Sequence, residues 1–270
     1  MKTGIVLMAA ATFSFGVMAE CSFIPIFDGK TMNGWHILDV APEDKYYATD
    51  ENFFAKDGAI HCFQSESKKG GLVLSDGKYD DFELLFEFKN AWGCDSGIMI
   101  RCNEKGQGIQ ILNDYLKDGV VGFPFGEGTG GYFSRPVVLN MHDGKVIGED
   151  IYDAVDKDNL LYSIDAKGWN ALWKHGDWNR MKIRCVGPEP RIVTWINGVK
   201  IMEMDGATYK ARGLKDAVNM NWDAKSAWNR KKIQQITGGK GSIAFQIHQG
   251  GRWAQGESVQ YRNIRIKELK

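Results

Sequence analysis

Apolar and polar residues alternate with a period of two along most of this chain. Residues 81–89 read DFELLFEFK, so Phe82 and Phe86 share one face while Glu87 lies on the other. Asn197-Gly198 is a strong hairpin signal, because both residue types tolerate positive φ. The same alternation recurs in residues 97–102, 108–112, 178–186, 191–197, 199–204, 241–248 and 258–267. Many short strands with few helical segments predict an all-β fold, a two-sheet antiparallel sandwich.

The apolar strand positions share one parity, which predicts a core between the two sheets. Residues 119–177 and 207–240 lack this parity and predict long loops of the kind that shape binding sites. The second loop also predicts a short helix, capped by Asp223 and ending near Ile236, with Gly238 beyond its end. Trp195 lies in a strand and is expected in the core. The other side chains expected there are Phe82, Phe86, Ile98, Ile100, Ile109, Ile111, Ile243, Phe245 and Ile247.

The first nineteen residues have the features of a secretory signal peptide. Lys2 provides a positive charge, residues 5–15 are almost uninterruptedly apolar, and Val17-Met18-Ala19 offers small residues at the cleavage positions. The apolar run is too short to span a bilayer, and no later segment is long and apolar enough. We therefore expect cleavage after Ala19, a single domain over residues 20–270, and a secreted or periplasmic protein.

Composition narrows the range of partners. The 270 residues include 34 Lys and Arg against 34 Asp and Glu, and this neutral balance disfavours a nucleic-acid partner. The mature chain would keep five cysteines, an odd number without a C-x-x-C pair, so we expect no zinc–thiolate site and no essential disulfide. Three of them, Cys62, Cys102 and Cys185, share the parity of core residues.

An ordinary two-carboxylate glycosidase mechanism finds no support in the sequence. Glu83 and Glu87 share one strand face, but four residues of extended chain separate them by about 13 Å. The two carboxyl groups of glycosidases lie about 5–9.5 Å apart. Motifs of zinc proteases, serine hydrolases and P-loop enzymes are also missing.

A polar set on the strand faces opposite the core is the main candidate for chemistry. If their strands are neighbours, these side chains converge on one sheet face, where they could bind a polyhydroxylated ligand. The alternative is a solvated outer face with scattered polar residues, and His142 is a weaker candidate for a site in the first insertion. The set consists of Glu87, Arg101, Gln110, Gln246 and His248. Tryptophans in loops could stack on a sugar ring, namely Trp169, Trp173, Trp222, Trp228 and Trp253.

A series of motifs spanning about residues 25–270 follows the order found in a known family. They are Phe27-Asp28-Gly29-Lys30, Asp57-Gly58-Ala59-Ile60, Asp81-Phe82-Glu83-Leu84, Ser96-Gly97-Ile98 with Arg101, Gln110-Ile111-Leu112 and Tyr261-Arg262-Asn263-Ile264. On these motifs the sequence resembles the 3-keto-disaccharide hydrolase family. It departs from the family pattern at three places. Asp95 replaces an Asn, Asn113 replaces an acid with Asp114 one position on, and residues 245–250 read FQIHQG where the family has L-Q-D-H-G.

The resemblance implies a concanavalin-A-like jelly roll that cleaves 3-keto-glycosides, by hydrolysis or by removal of the C2 proton, elimination and hydration. Such chemistry needs one base and one group that stabilises an enolate. His248 or Glu87 would be the base and Arg101 the stabiliser, while Gln110, Asp114, Gln246 and Trp222 would bind the sugar. A divalent metal ion could serve as the stabiliser instead. The alternative function is a non-catalytic, lectin-like carbohydrate-binding module on the same scaffold.

Overall fold

The computed structural model describes residues 23–126, 132, 134–142, 145–146, 159–209 and 230–270. Its strands in chain order are β1 (Ile24–Pro25), β2 (Trp35–Ile37), β3 (Phe53–Lys56), β4 (Ala59–Phe63), β5 (Gly71–Tyr79), β6 (Phe82–Asn90), β7 (Cys94–Cys102), β8 (Ile109–Tyr115), β9 (Val121–Phe125), β10 (Met141–His142), β11 (Lys145–Val146), β12 (Leu160–Ser163), β13 (Asn179–Val186), β14 (Arg191–Ile196), β15 (Val199–Asp205), β16 (Gly241–Ile247) and β17 (Ser258–Glu268). Two helices are described, α1 (Ala166–Leu172) and α2 (Arg230–Thr237).

The strands form two large antiparallel sheets and one small hairpin. A nine-stranded sheet has the order β12-β15-β14-β13-β6-β17-β4-β3, with β1 added on β17. A six-stranded sheet has the order β2-β5-β16-β7-β8-β9, and β10 pairs with β11. Because neighbours in these sheets are distant in sequence, the strands cross between the two layers, as in a jelly roll. The predicted all-β, two-sheet antiparallel sandwich is confirmed.

The core lies between the two large sheets, where the parity of the strands predicted it. Phe245 stacks on Tyr261 at a ring-centroid distance of 3.8 Å, and Phe86 packs edge-on against Phe245. Full burial of such aromatic side chains is worth about 1.5–3 kcal/mol each. All nine residues predicted for the core are buried: Phe82, Phe86, Ile98, Ile100, Ile109, Ile111, Ile243, Phe245 and Ile247.

Two predictions about tryptophans are wrong. Trp195 is not in the core, because its side chain lies on the outer face of the nine-stranded sheet under the ammonium group of Lys182. Trp169 is fully buried and stacks on Trp173, and Trp253 is also buried, so neither of these two is a free platform for a sugar. Both residues lie in segments without strand periodicity, so the sequence pattern did not indicate that apolar contacts bury them.

Within the described ranges, Cys62, Cys94, Cys102 and Cys185 are buried and form no disulfide bond. Cys62 and Cys185 lie in the main core as predicted, whereas Cys102 lies in a smaller cluster with Met99 and Ala244.

Helix α2 ends at Thr237, directly before Gly238, close to its predicted end. Among the described residues, no helix is long and apolar enough to cross a membrane. Several predictions fall outside the described residues: the signal peptide at 1–19, Cys21, the cap at Asp223, and Trp222 and Trp228.

Candidate functional site

The outer face of the six-stranded sheet carries one row of polar residues and, beside it, a pair of glutamines. Asp95 on β7 pairs with Asp114 on β8. On its other side Asp95 accepts a backbone hydrogen bond from His248, which directly follows β16. One step further along the strands, Gln246 pairs with Gly97. Directly opposed Cα atoms in antiparallel strands are about 4.5–5.5 Å apart, so Asp114, Asp95 and His248 form one short row across three strands.

Gln110 and Gln246 form a direct hydrogen bond within this face. Gln110 Nε2 donates to Gln246 Oε1 at 2.7 Å, and both side chains are buried. The contact depends on Gly97, which lies between them. A Cβ atom at Gly97 would come within 2.0 Å of Gln110 Nε2. The glycine therefore leaves the space through which Gln110 reaches its partner.

Asp95 and Asp114 bring two carboxyl groups together in a nearly water-free place. They are 5% and 6% exposed, and Arg252 Nε donates a hydrogen bond to Asp95 Oδ2. Burial, followed by the charge and the hydrogen bond of Asp95, raises the pKa of the Asp114 carboxyl well above its usual range, while Arg135 and Arg252 oppose the shift. Within the described part of the chain, Asp114 Oδ1 is buried without a hydrogen-bond partner. A buried oxygen of this kind is suited to accept a hydrogen bond from a ligand hydroxyl.

Among the described residues, His248 has a hydrogen-bond partner for only one of its two ring nitrogens. Its Nδ1 lies 2.7 Å from the carbonyl oxygen of Gln249, and a carbonyl can only accept, so Nδ1 carries the proton. In the neutral ring Nε2 then bears the lone pair and can act as a base. The backbone carbonyl of His248 accepts from Gln64 Nε2 at 2.6 Å, which helps to fix the segment that follows β16.

A buried polar network supports the row from the core side. Asn113 Nδ2 donates to Tyr261 Oη at 2.9 Å, and Asn90 Nδ2 donates to Asn113 Oδ1 at 2.6 Å. Ser96 Oγ donates to the carbonyl oxygen of Gln246 at 2.6 Å. Asn113 thus points into the core, and Asp114 is the residue of this pair that faces outward. Satisfied buried networks fix strand register, and this one holds the three strands of the site together.

Glu87 does not belong to this site. It lies on β6, in the nine-stranded sheet, and its pairing with Arg180 and Arg262 places it on the outer face of that sheet. Arg262 Nε donates to Glu87 Oε2 at 2.7 Å. The predicted convergence is wrong here, because parity gives the face of a strand but not the sheet to which the strand belongs.

Arg101 does not belong to the site either, and the reason is local. Its φ is +50°. Ser242 and Ala244 of β16 pair with Cys102 and Met99 of β7, so β7 has one residue more than β16 between these two pairs. This β-bulge reverses the alternation, so Arg101 turns away from the face that carries Met99. Its side chain is completely buried. The guanidinium donates to the carbonyls of Asp80, Gly187 and Thr237 and to Asp81 Oδ1, at 2.7–3.0 Å.

Of the predicted site residues, the structure thus brings together Gln110, Gln246, Asp114 and His248. Sequence reasoning missed Asp95 and Arg252 as site residues. Asp95 could have been predicted, because it shares the parity of Gly97 and Met99 and departs from the family pattern. Arg252 lies in a segment without periodicity and gave none. Trp222 and parts of both insertions lie outside the described residues, so their contribution stays a prediction. No group of three or more potential metal ligands occurs among the described residues.

Comparison with solved structures finds a similar fold in two structures of β-agarase B. β-Agarase B from Zobellia galactanivorans aligns with a TM-score of 0.51 and 14% identity over 91% of this chain and 92% of that chain. The inactivated β-agarase B mutant in complex with agaro-octaose aligns with a TM-score of 0.52 and 15% identity over 92% and 93% of the two chains. At this identity the similarity establishes the fold.

The family is established by sequence. The chain belongs to the family described as the 3-keto-alpha-glucoside-1,2-lyase-like domain, which matches residues 22–267. A 3-keto-disaccharide hydrolase of Bacteroides thetaiotaomicron is 26% identical over 259 residues, which cover 92% of this chain and 78% of that protein. The predicted family is confirmed, and the family and this relative indicate a carbohydrate-active hydrolase.

Proposed function

We propose that this protein cleaves glycosides whose sugar ring carries a ketone at C3, and that the reaction takes place on the outer face of the six-stranded sheet. The observation that carries the proposal is the row of Asp114, Asp95 and His248 beside the Gln110–Gln246 pair. This arrangement combines a base, a buried acid and several hydroxyl-binding groups without a glycosidase pair of free carboxylates. Family membership and the name of the curated relative support the substrate class.

The ketone determines which bonds break. It acidifies the C2 proton, and His248 Nε2 takes that proton to leave an enolate. Return of the electron pair expels the C1 substituent, so the C1–O bond breaks, a C1=C2 double bond forms, and the departing oxygen takes the proton from His248. Addition of water across this bond completes a net hydrolysis. Direct hydrolysis would give the same products.

The remaining groups of the site bind and stabilise. Arg252 supplies a positive charge beside Asp95 and can stabilise the enolate, the role that the family resemblance suggested for Arg101. Asp114 accepts a sugar hydroxyl at Oδ1, which has no partner among the described residues, and the two glutamines orient further hydroxyls. Because Asp114, Gln110 and Gln246 are buried, their hydrogen bonds to substrate form with little competition from water.

A non-catalytic carbohydrate-binding module is the alternative function. It would use the same glutamines and carboxyls but would not need a ring nitrogen free to accept a proton. The available Nε2 of His248 favours the enzyme. The apolar run and cleavage motif of residues 1–19 support the further proposal that the enzyme is exported as residues 20–270.

The test is release of 4-nitrophenol from a 4-nitrophenyl 3-keto-glucoside by the purified protein. His248→Ala should lower kcat by about 10²–10⁴-fold, the usual contribution of a general base, while substrate still binds. Gln110→Ala should mainly raise KM. His61→Ala is the matched control, because His61 lies on β4 in the other sheet and stacks on Phe54.

The outcomes separate the alternatives. Binding without release by the unmodified protein would support the carbohydrate-binding module. Full activity of His248→Ala would exclude His248 as the base. Loss of activity in the presence of a chelator would show that a metal ion stabilises the enolate in place of Arg252.

A further inference from the structure

The outer face of the nine-stranded sheet is basic, although the chain as a whole is neutral. Strand β6 runs between two strands rich in basic residues, β13 and β17. The register gives three rows across these strands: Arg184–Glu83–Lys267, Lys182–Leu85–Arg265 and Arg180–Glu87–Arg262. Six of the nine positions are basic and two are acidic. We call these nine residues the basic lattice.

The middle row of the lattice contains no acid and continues onto two more strands. Lys182 pairs with Trp195 on β14, and Trp195 pairs with Lys200 on β15. The sequence of side chains across five strands is therefore cation, aromatic, cation, leucine, cation. Four strand spacings of about 4.8 Å make this row about 19 Å long.

Two cations of the lattice lie over aromatic rings. Lys182 Nζ lies 4.1 Å from the centroid of Trp195, and the guanidinium carbon of Arg262 lies 3.8 Å from the centroid of Trp178. The two acids of the lattice already have partners, since Glu87 binds Arg262 and Glu83 lies 3.8 Å from Lys182. Their charge is thus offset locally, and the excess of the lattice is positive.

A shallow groove lies beside the end of this row. Its volume is about 390 Å³, and it is lined by Arg184, Arg191, Val193, Trp195, Lys200 and others. Glu203 is the acidic residue of the lining, and it binds both Arg191 and Lys200. The groove therefore offers an aromatic edge surrounded by cations, and a pyranose ring with an anionic substituent fits such a place.

We propose that the basic lattice and the groove form a second binding site, which takes an acidic polysaccharide carrying carboxylate or sulfate groups. Charge complementarity selects an anionic polymer, and the regular spacing of cations across the strands suits a chain of repeating anionic units. The placement of Trp195 between two lysines favours a sugar polymer over a simple polyanion. This site lies on the opposite side of the sandwich from the proposed reaction site, so a bound polymer leaves that site open.

Binding to matched polymers tests the proposal. Dextran sulfate and dextran share one backbone, and the full protein should bind the sulfated form and polygalacturonate but not dextran. The triple variant Lys182→Gln, Lys200→Gln, Arg265→Gln should bind at least about tenfold more weakly at low salt, and its affinity should depend less on salt concentration. The variant Lys30→Gln, Lys68→Gln, Lys105→Gln removes the same charge from exposed positions elsewhere and should bind normally.

Two further arms identify the kind of ligand. Trp195→Leu should weaken binding of dextran sulfate but not of tripolyphosphate, since only the polysaccharide has a ring to contact the indole. Cleavage of the 3-keto-glucoside should remain unchanged in all these variants. Equal binding of dextran and dextran sulfate, equal binding by the two triple variants, or tighter binding of a single-stranded oligonucleotide through the same residues would overturn the proposal.

Discussion

Asp114 combines a proposed role in substrate binding with a cost in stability. Asp114 is 6% exposed, pairs with Asp95 across the strands, and has a carboxyl oxygen without a partner among the described residues. Keeping such a group charged in the folded protein is unfavourable, which is why its pKa is raised. Sites that bind ligands often retain strained or unsatisfied groups of this kind.

The replacement Asp114→Asn should therefore stabilise the protein in a pH-dependent manner. An acid whose pKa is raised by folding destabilises the folded state once pH exceeds its unfolded value of about 3.9. The variant should unfold at a higher temperature near pH 7, by about 2–4 °C for each 1 kcal/mol of relieved cost, and the gain should vanish below about pH 4. Thermal unfolding from pH 3 to 8 measures this, with the exposed neighbour Asp118→Asn as the control. A gain that is equal at all pH values would contradict the assignment.

Strand β7 shows where sequence pattern succeeds and where it fails. Ile98 and Ile100 lie in the core as the alternation predicts. One residue later the bulge at Arg101 changes the face, so the same alternation assigns Arg101 and Cys102 to the wrong sides. Gly241 makes the bulge possible, because a Cβ atom there would lie 2.3 Å from the backbone carbon of Arg101. Nothing in a period-two pattern reports such an insertion, so it could not be predicted from the sequence alone.

Arg101 should prove essential for stability and dispensable for chemistry. Its guanidinium joins β7 to the turn before β6, to Gly187 and to the end of α2. Arg101→Met leaves Asp81 and buried carbonyls without this donor and should cost about 3–5 kcal/mol of unfolding free energy. Arg262→Met, which removes a partly exposed partner of Glu87, should cost at most about 1 kcal/mol.

Denaturant unfolding and kcat on the folded fraction distinguish the two roles of Arg101. If Arg101→Met folds with normal stability but has lost turnover, Arg101 takes part in the reaction after all. If the variant does not fold, Arg101→Lys retains one cation and provides a milder test. We expect it to be destabilised with kcat unchanged.

For the molecule as a whole, the fold was predictable because its information is distributed over many strands. Nine core positions agreed with a single parity, and an error at one bulge does not change the architecture. The site was only partly predictable, because it depends on which strands become neighbours. Gln110, Gln246 and Asp114 meet because β16, β7 and β8 are adjacent, whereas β6 entered the other sheet. The net charge was an equally incomplete guide to the surface, because a chain with a neutral total can carry a basic sheet face.

The four described cysteines offer a test of whether the two sheets unfold together. Cys62 and Cys185 lie in the nine-stranded sheet, whereas Cys94 and Cys102 lie on β7 in the six-stranded sheet, and all four are buried. Burial raises the pKa of Cys94 and of Cys185 to about 12, so at neutral pH neither is a reactive thiolate in the folded state. A thiol reagent should therefore leave all four unmodified in the native protein and modify them only on unfolding. Because one core joins the sheets, peptide mapping by mass spectrometry should show all four labelled with the same midpoint of denaturant. If Cys94 and Cys102 become labelled at a clearly lower denaturant concentration than Cys62 and Cys185, the six-stranded sheet opens separately, and the proposed reaction site lies on the less stable half of the sandwich.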